Sequence, residues 1–75
     1  MRLLIAEDEP DLAEALCALF EKNRFSAEAV HDGISALEYA TAGKYDAIIL
    51  DVMMPGMNGV EVLQKLRAAG VRTPV

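Results

Sequence analysis

The sequence is short of basic residues and of cysteine, and each shortage excludes a class of protein. Its 75 residues contain 7 lysines and arginines against 12 aspartates and glutamates, so the formal net charge is −5. Affinity for nucleic-acid phosphates comes from lysine and arginine, and this balance therefore argues against DNA or RNA binding by this segment. The one cysteine, Cys17, excludes an internal disulfide framework and is typical of a reducing compartment, so we expect a cytoplasmic protein.

Long apolar runs are also missing. No stretch approaches the roughly 20 apolar residues that a membrane-spanning helix needs, so no membrane association is expected. The apolar start of the chain meets acidic residues too early to form the core of a signal peptide. What is present is an ordinary globular composition, with 53% hydrophobic and 25% charged residues. At this length the chain holds one domain at most.

Two short apolar runs, each followed directly by an acidic residue, predict buried strands. Residues 2–6 precede Glu7, and residues 47–50, Ala-Ile-Ile-Leu, precede Asp51. Strands that are apolar on both faces are typical of a parallel sheet covered by helices. A weaker strand with partial alternation is predicted over residues 25–30.

Three helices are predicted between and after these strands. The first follows Pro10, and its leucines and Phe20 form one apolar stripe at helical spacing. The second is expected to begin at a cap provided by Asp32 or Ser35. The third follows a loop rich in proline and glycine over residues 52–58. Strands alternating with helices indicate an α/β fold with an open parallel sheet.

The acidic residues that follow the strands form a candidate cation site. In open α/β sheets, ligands bind beyond the carboxyl ends of the strands. If the first and third strands are neighbours, Glu7 and Asp8 converge on Asp51. Taken singly, each acid is more simply a solvated residue near the positive end of a helix. Acids after two strands together favour a hard divalent ion with oxygen ligands, Mg²⁺ above all.

The stretch Asp-Val-Met-Met-Pro-Gly-Met-Asn-Gly at residues 51–59 is the most specific motif in the chain. With it, the chain resembles the response-regulator receiver domain of bacterial two-component signalling. The other matching segments are Leu-Ile-Ala-Glu-Asp-Glu at 4–9, Asp-Gly at 32–33, Ala-Leu at 36–37, Tyr-Asp-Ala-Ile-Ile-Leu-Asp at 45–51 and Thr-Pro-Val at 73–75. The resemblance covers all 75 residues and looks closest to the subfamily with a winged-helix DNA-binding output domain.

The resemblance implies a flavodoxin-like open parallel sheet with the strand order 2-1-3-4-5. Residues 1–75 would be the N-terminal part of one receiver domain, without the last two strands. Asp51 would accept a phosphoryl group from a sensor histidine kinase, and the full-length protein would regulate an output, transcription. The implied ligands of Mg²⁺ are Glu7, Asp8, Asp51 and the main-chain carbonyl of Met53.

Several other residues have simpler structural interpretations. Pro55 stiffens the loop, Asn58 is a candidate cap for the third helix, and Gly59 permits a tight turn into it. His31 is interpreted as a solvated surface residue rather than a metal ligand, because no second histidine or suitable cysteine accompanies it. Asp46 precedes the third strand and is therefore expected at the opposite end of the sheet from the acidic site.

The family pattern also requires a serine or threonine at the end of a fourth strand and a lysine at the end of a fifth. This chain stops at Val75 before either position, and Thr73 stands at the start of a strand rather than at its end. The edge of the third strand and the face of the first helix would therefore be exposed. Exposed apolar edges invite pairing with other chains, so we expect self-association through one of these surfaces.

Three classes of function are compatible with these patterns. The first is a phosphoacceptor module, which is a signalling protein and not an enzyme in the usual sense. The second is a phosphorylation-incompetent half of a receiver that self-associates as a binding or scaffold module. The third, a hydrolase of the haloacid dehalogenase type, is disfavoured, because that family needs a second aspartate two positions after the nucleophile and Met53 stands there.

Overall fold

The computed structural model describes residues 1–75, and its six elements alternate in the predicted order. They are β1 (Arg2–Ala6), α1 (Pro10–Lys22), β2 (Ser26–Val30), α2 (Gly33–Ala42), β3 (Ala47–Leu50) and α3 (Gly59–Ala68). The predicted bounds of the first and third strands are confirmed. None of the three helices is both long and apolar enough to cross a membrane.

The three strands form one parallel sheet in the order β2-β1-β3, as predicted. The central strand, β1, is apolar on both faces because helices lie on both, and its Leu4 and Ile5 are fully buried. The register pairs Ala6 with Val30 on one side and with Leu50 on the other. The three strands therefore end level, and the residues that follow them meet at one edge. This is the flavodoxin-like arrangement.

The main core lies on the face of the sheet that α2 and α3 cover. Leu4 on β1 packs there with Val62 and Leu66 of α3, and all three side chains are fully buried. Val60, on the same helix, is 50% exposed, so the buried stripe of α3 is set by Val62 and Leu66. The remaining buried members of this core are Ala6, Val30, Ala36, Ala40 and Ile48.

The opposite face of the sheet is covered by α1 alone, and only in part. Ala13 is fully buried against the sheet, whereas Leu12 is 44% and Leu19 is 55% exposed. The helix packs against β2 and β1. On β3, Ile49 pairs with Ile5 and is 38% exposed. The predicted apolar stripe of α1 exists, but much of it is not buried.

The predicted start of the second strand at residue 25 is one residue too early. Arg24 has a left-handed backbone conformation, with φ at 71°. This turns the chain so that the Phe25 N–H donates to the Phe20 carbonyl oxygen at 3.0 Å. The two phenyl rings then pack edge to face, with their centroids 5.7 Å apart. Phe25 thus closes the end of α1 instead of extending β2.

Side-chain caps fix where α2 and α3 begin. Asp32, rather than Ser35, caps α2, and its carboxylate accepts the Ser35 N–H at 2.7 Å. Asn58 caps α3 through a reciprocal pair in which Asn58 accepts the Glu61 N–H at 3.0 Å and the Glu61 carboxylate accepts the Asn58 N–H at 3.4 Å. The third helix therefore starts at a defined point directly after the loop that follows β3.

The last residues of the chain lie beside β3. The Ile48 N–H donates to the carbonyl oxygen of Pro74 at 2.8 Å, which is a contact of the kind that an adjacent strand makes. The predicted start of a strand at residues 73–75 has this one hydrogen bond to the sheet but is not itself a regular strand. The outer edge of β3 is therefore partly covered.

Candidate metal centre

The level strand ends bring Glu7, His31 and Asp51 to the same edge of the sheet, since each directly follows a strand. Two main-chain bonds extend the sheet past its last residues. The Glu7 N–H donates to the Val30 carbonyl and the Asp51 N–H donates to the Ala6 carbonyl, each at 3.0 Å. The start of each loop is therefore held as firmly as the strands themselves.

Three carboxylates meet at this edge. One oxygen atom from each of Glu7, Asp8 and Asp51 lies within 4.8 Å of the others. Glu7 and Asp51 are half-buried, and Asp8 is exposed. The third acid after β1, Glu9, does not join the group and instead stands at the start of α1. Like charges this close repel one another, so the arrangement favours a bound cation.

The electrostatics of the cluster are visible at Glu7. The Glu9 N–H donates to its carboxylate at 3.0 Å and on its own would lower the pKa. Hydrogen bonding with Asp8, partial burial and the nearby charges of Asp51 and Asp8 act in the opposite direction and outweigh it. The pKa of Glu7 is therefore raised above its ordinary value, which is the expected result of crowding carboxylates.

Asp51 is held by the loop that follows it. Its Oδ1 accepts the N–H of Met53 at 3.2 Å, and the Gly59 N–H donates to the Val52 carbonyl at 2.9 Å. A Cβ atom on Gly59 would lie 2.2 Å from the Asp51 carbonyl oxygen, so no residue but glycine fits there unless the main chain moves. The close approach of α3 to the residue after β3 is the physical reason for Gly59.

An open cleft of about 550 Å³ adjoins the carboxylates. Five residues line it: Asp8, Met53, Met54, Pro55 and Asn58. Pro55 also fixes the loop, because its carbonyl accepts the N–H of Met57 at 2.9 Å and that of Gly33 at 3.4 Å. The cleft therefore lies between an acid from the β1 loop and residues of the β3 loop.

The donor set suits a hard divalent cation. Three carboxylates offer oxygen atoms, Met53 borders the same cleft as Asp8, and the cleft leaves room for water. Magnesium prefers oxygen ligands and keeps several waters, so a partly open carboxylate site fits Mg²⁺ better than a metal that seeks nitrogen or sulfur.

Two residues outside the carboxylate group, Asp46 and His31, lie at opposite ends of the sheet. Asp46 lies at the opposite end of the sheet, as expected, where it accepts the Arg2 main-chain N–H at 2.6 Å. His31 is exposed, as expected, but its Nδ1 lies 3.0 Å from the main-chain carbonyl oxygen of Glu7. Sequence reasoning missed this contact, although the position of His31 directly after a strand placed it at the correct edge.

Curated relatives match the whole chain. The chain is 44% identical over 75 residues to the transcriptional regulatory protein DltR of Streptococcus agalactiae, which covers 100% of this chain and 34% of that protein. It is 39% identical over 75 residues to the response regulator MprA of Mycobacterium avium, covering 100% of this chain and 33% of that protein. The chain thus spans about a third of the length of these relatives.

Solved structures with the same fold include receiver domains and response regulators. The receiver domain of a Francisella response regulator has a TM-score of 0.95 and 34% identity, covering 99% of this chain and 61% of that one. The response regulator TrrA of Thermotoga maritima in complex with Mg²⁺-BeF has a TM-score of 0.86 and 34% identity, covering 91% and 59%. A complex of the histidine kinase ThkA with TrrA also matches, with a TM-score of 0.83 and 34% identity over 89% and 58%.

The family described as "Response regulator receiver domain" matches residues 3–75. The match includes all of β1 except Arg2, the other two strands, all three helices and the carboxylate cluster. Sequence and fold agree, and this chain belongs to the response regulator receiver domain family.

Proposed function

We propose that Asp51 is the phosphoacceptor of a two-component signalling module. The observation that carries this proposal is the convergence of Glu7, Asp8 and Asp51 at one edge of the sheet. Asp51 stands at the tip of β3 with Oδ1 tethered by the Met53 N–H, which orients the carboxylate without occupying both of its oxygens. A carboxylate in this setting is a suitable nucleophile for phosphoryl transfer.

The chemistry follows from the arrangement. A carboxylate oxygen of Asp51 attacks the phosphorus of a phosphohistidine, the nitrogen–phosphorus bond breaks, and an acyl phosphate forms on Asp51. Positioning and electrostatics dominate such transfers. Bound Mg²⁺ supplies neutralisation of the phosphoryl charge and aligns the reacting groups. The proposed ligands are Glu7, Asp8, Asp51 and the main-chain carbonyl of Met53.

The proposed partner is a sensor histidine kinase, and the proposed output is transcription. The solved complex of TrrA with the kinase ThkA and the names of DltR and MprA support these assignments. The net charge of −5 supports an output through a separate DNA-binding domain rather than through this segment. The free Cys17 is compatible with a cytoplasmic location.

A second candidate function is a self-associating scaffold that does not accept phosphate. It is favoured by the exposed apolar side chains of Leu12 and Leu19 on α1 and of Ile49 on β3. In this case the carboxylates would bind a cation, and association between copies would be the activity. The two candidates differ in whether Asp51 needs to react.

Binding of beryllofluoride, a mimic of the phosphoryl group, separates them. We expect the chain to bind beryllofluoride saturably in the presence of Mg²⁺ and Asp51→Asn to abolish this binding. Asp46→Asn is the matched control, because it removes the same charge at the opposite end of the sheet. Nuclear magnetic resonance titration of the main-chain amides measures both. Association without beryllofluoride binding would favour the scaffold and contradict the phosphoacceptor.

A further inference from the structure

We propose that His31 is a positioning residue for the cation site, and that its ring holds the peptide group that joins Glu7 to Asp8. The inference rests on the proposed function, because it concerns the cation that those two carboxylates would bind. His31 does not touch the cation in this proposal and acts only through the main chain of the β1 loop.

In the hydrogen bond between His31 and Glu7, only the ring nitrogen can be the donor. His31 Nδ1 lies 3.0 Å from the carbonyl oxygen of Glu7. A carbonyl oxygen only accepts hydrogen bonds, so Nδ1 must carry the proton and donate it. The acceptor belongs to the peptide unit between Glu7 and Asp8, and the orientation of that unit determines where both carboxylates point.

This hydrogen bond is the only one made by the peptide unit that joins Glu7 to Asp8. The loop is also tied by the Glu9 N–H, which donates to the Glu7 carboxylate at 3.0 Å. The Glu7 N–H is fixed by the Val30 carbonyl at 3.0 Å, and the next main-chain bond along the loop is accepted by Glu9, from Ala13. The main chain of Asp8 makes no hydrogen bond of its own. Without His31, neither polar group of the peptide unit between Glu7 and Asp8 has a partner, so this unit is less restrained and the exposed Asp8 carboxylate is held less closely to Asp51.

The position of His31 in the sheet explains why it reaches this carbonyl. It is the first residue after β2, and Val30 pairs with Ala6, so His31 stands beside Glu7. Its neighbour Asp32 is fixed as the cap of α2, with its carboxylate bonded to Ser35 at 2.7 Å and 3.0 Å. The donor therefore lies between the end of a strand and the cap of a helix, which restricts its main chain, as is required to orient a loop.

The test compares Mg²⁺ affinity in three chains by amide chemical-shift titration. We expect His31→Ala to weaken Mg²⁺ binding about tenfold, the lower end of the effect of removing a group that orients a metal ligand. His31→Asn is expected to recover most of this loss, because its amide nitrogen stands at the same branch position as Nδ1 and carries N–H donors. The melting temperature without Mg²⁺ should be nearly the same in all three chains, since His31 is exposed.

The outcomes separate this inference from the proposed function. Equal Mg²⁺ affinity of the unaltered chain and His31→Ala would overturn the role of His31 and leave the cation site intact. A loss in His31→Ala that His31→Asn does not recover would also overturn it, because donation to the carbonyl would not be the cause. No Mg²⁺ binding by the unaltered chain would overturn both the inference and the proposed site.

Discussion

Single residues show how closely the site depends on main-chain contacts. Gly59 and Gly33 stand at the starts of two helices, and a Cβ on either would strike a carbonyl oxygen, that of Asp51 at 2.2 Å and that of Met57 at 1.8 Å. These glycines are needed for space rather than for an unusual backbone angle, which Gly56 and Gly70 have, with φ of 80° and 84°. The main chain of Asp51, the candidate phosphoacceptor, can therefore keep its position only because Gly59 has no Cβ.

Replacing Gly59 tests this support. We expect Gly59→Ala to destabilise the fold by about 1–3 kcal/mol, the usual cost of overpacking, and to weaken Mg²⁺ binding because the Asp51 main chain must move. Gly70→Ala is the control: nothing lies within 4 Å of its Cβ, so it should cost only the conformational energy of its positive φ, about 1–2 kcal/mol, and leave Mg²⁺ binding unchanged. Equal Mg²⁺ affinity in both variants would contradict the proposed effect of Gly59 on the position of Asp51.

Asp32 gives the chain a defined dependence on acid. The Ser35 main-chain N–H and then the Ser35 hydroxyl donate to its carboxylate and hold its pKa below the ordinary value of 3.8. A lowered pKa in the folded state means that ionised Asp32 stabilises the fold above pH 3.8, and this stability is lost as the pH falls through the lowered pKa.

The variant Asp32→Asn separates the charge from the cap, because asparagine also caps helices but does not titrate. We expect its stability to depend less on pH below about 4 than that of the unaltered chain. Urea unfolding across that range measures the difference. Parallel pH profiles for the two chains would show that ionisation of Asp32 contributes nothing to the acid sensitivity.

At the scale of elements, α3 has a buried face and an exposed face, so Leu66 and Val60 on this helix have different roles. Leu66→Ala should cost about 2–5 kcal/mol, because Leu66 is fully buried in the main core and its truncation leaves a cavity. Val60→Ala is the comparison on the same helix: Val60 is 50% exposed, so we expect a change within about 0.5 kcal/mol. Thermal unfolding measures both, and similar losses would mean that α3 is packed differently.

Elements were predictable where the sequence determines them locally. The bounds of β1 and β3 follow from short apolar runs that end in acids. The cap at Asn58 follows from its position directly before α3. The start of β2 was misplaced because the left-handed turn at Arg24 has no glycine to signal it. Burial along α1 could not be predicted, since helical spacing identifies an apolar face but not how much of it another element covers.

The site was predictable to the level of which acids meet, but not of what orients them. The resemblance to receiver domains implied the strand order, and in the observed order β2-β1-β3 Asp51 meets the acids after β1 at one edge of the sheet. The His31 contact depends on the register between β1 and β2, which pairs Ala6 with Val30, and a shift of one residue would remove it. Register is a tertiary property that no short motif specifies.

At the scale of the whole molecule, the core is small and lies on one side. Only 13 of 75 residues are buried, and the shortest dimension is 15 Å, too thin for helices to cover both faces of the sheet completely. The exposed apolar side chains of α1 and β3 are one consequence of this shape. Apolar surface left open in this way is a site for association.

We therefore expect the chain to self-associate, and we expect Leu19→Glu to reduce the association constant at least tenfold. Leu19 is 55% exposed on α1, and a charge there would have to be desolvated in any contact through this face. Val60→Glu is the control on the opposite side of the sheet, where Val60 is exposed to a similar extent. Sedimentation velocity over a range of concentrations compares the three chains. An unaltered chain that remains monomeric at every concentration would contradict the expected self-association.

The central position of β1 also has a consequence for how fast the molecule forms. Leu3 pairs with Ala27 on one side and with Ala47 on the other, so the first strand is completed by partners 24 and 44 positions later. Because both strand pairs are parallel, no tight hairpin can start the sheet. Two long loops must close, each at a cost in chain entropy, before hydrogen bonds between the strands stabilise it. Formation should be slower than for a helical bundle of equal length, and the cation site, which needs both closures, would be among the last features to appear.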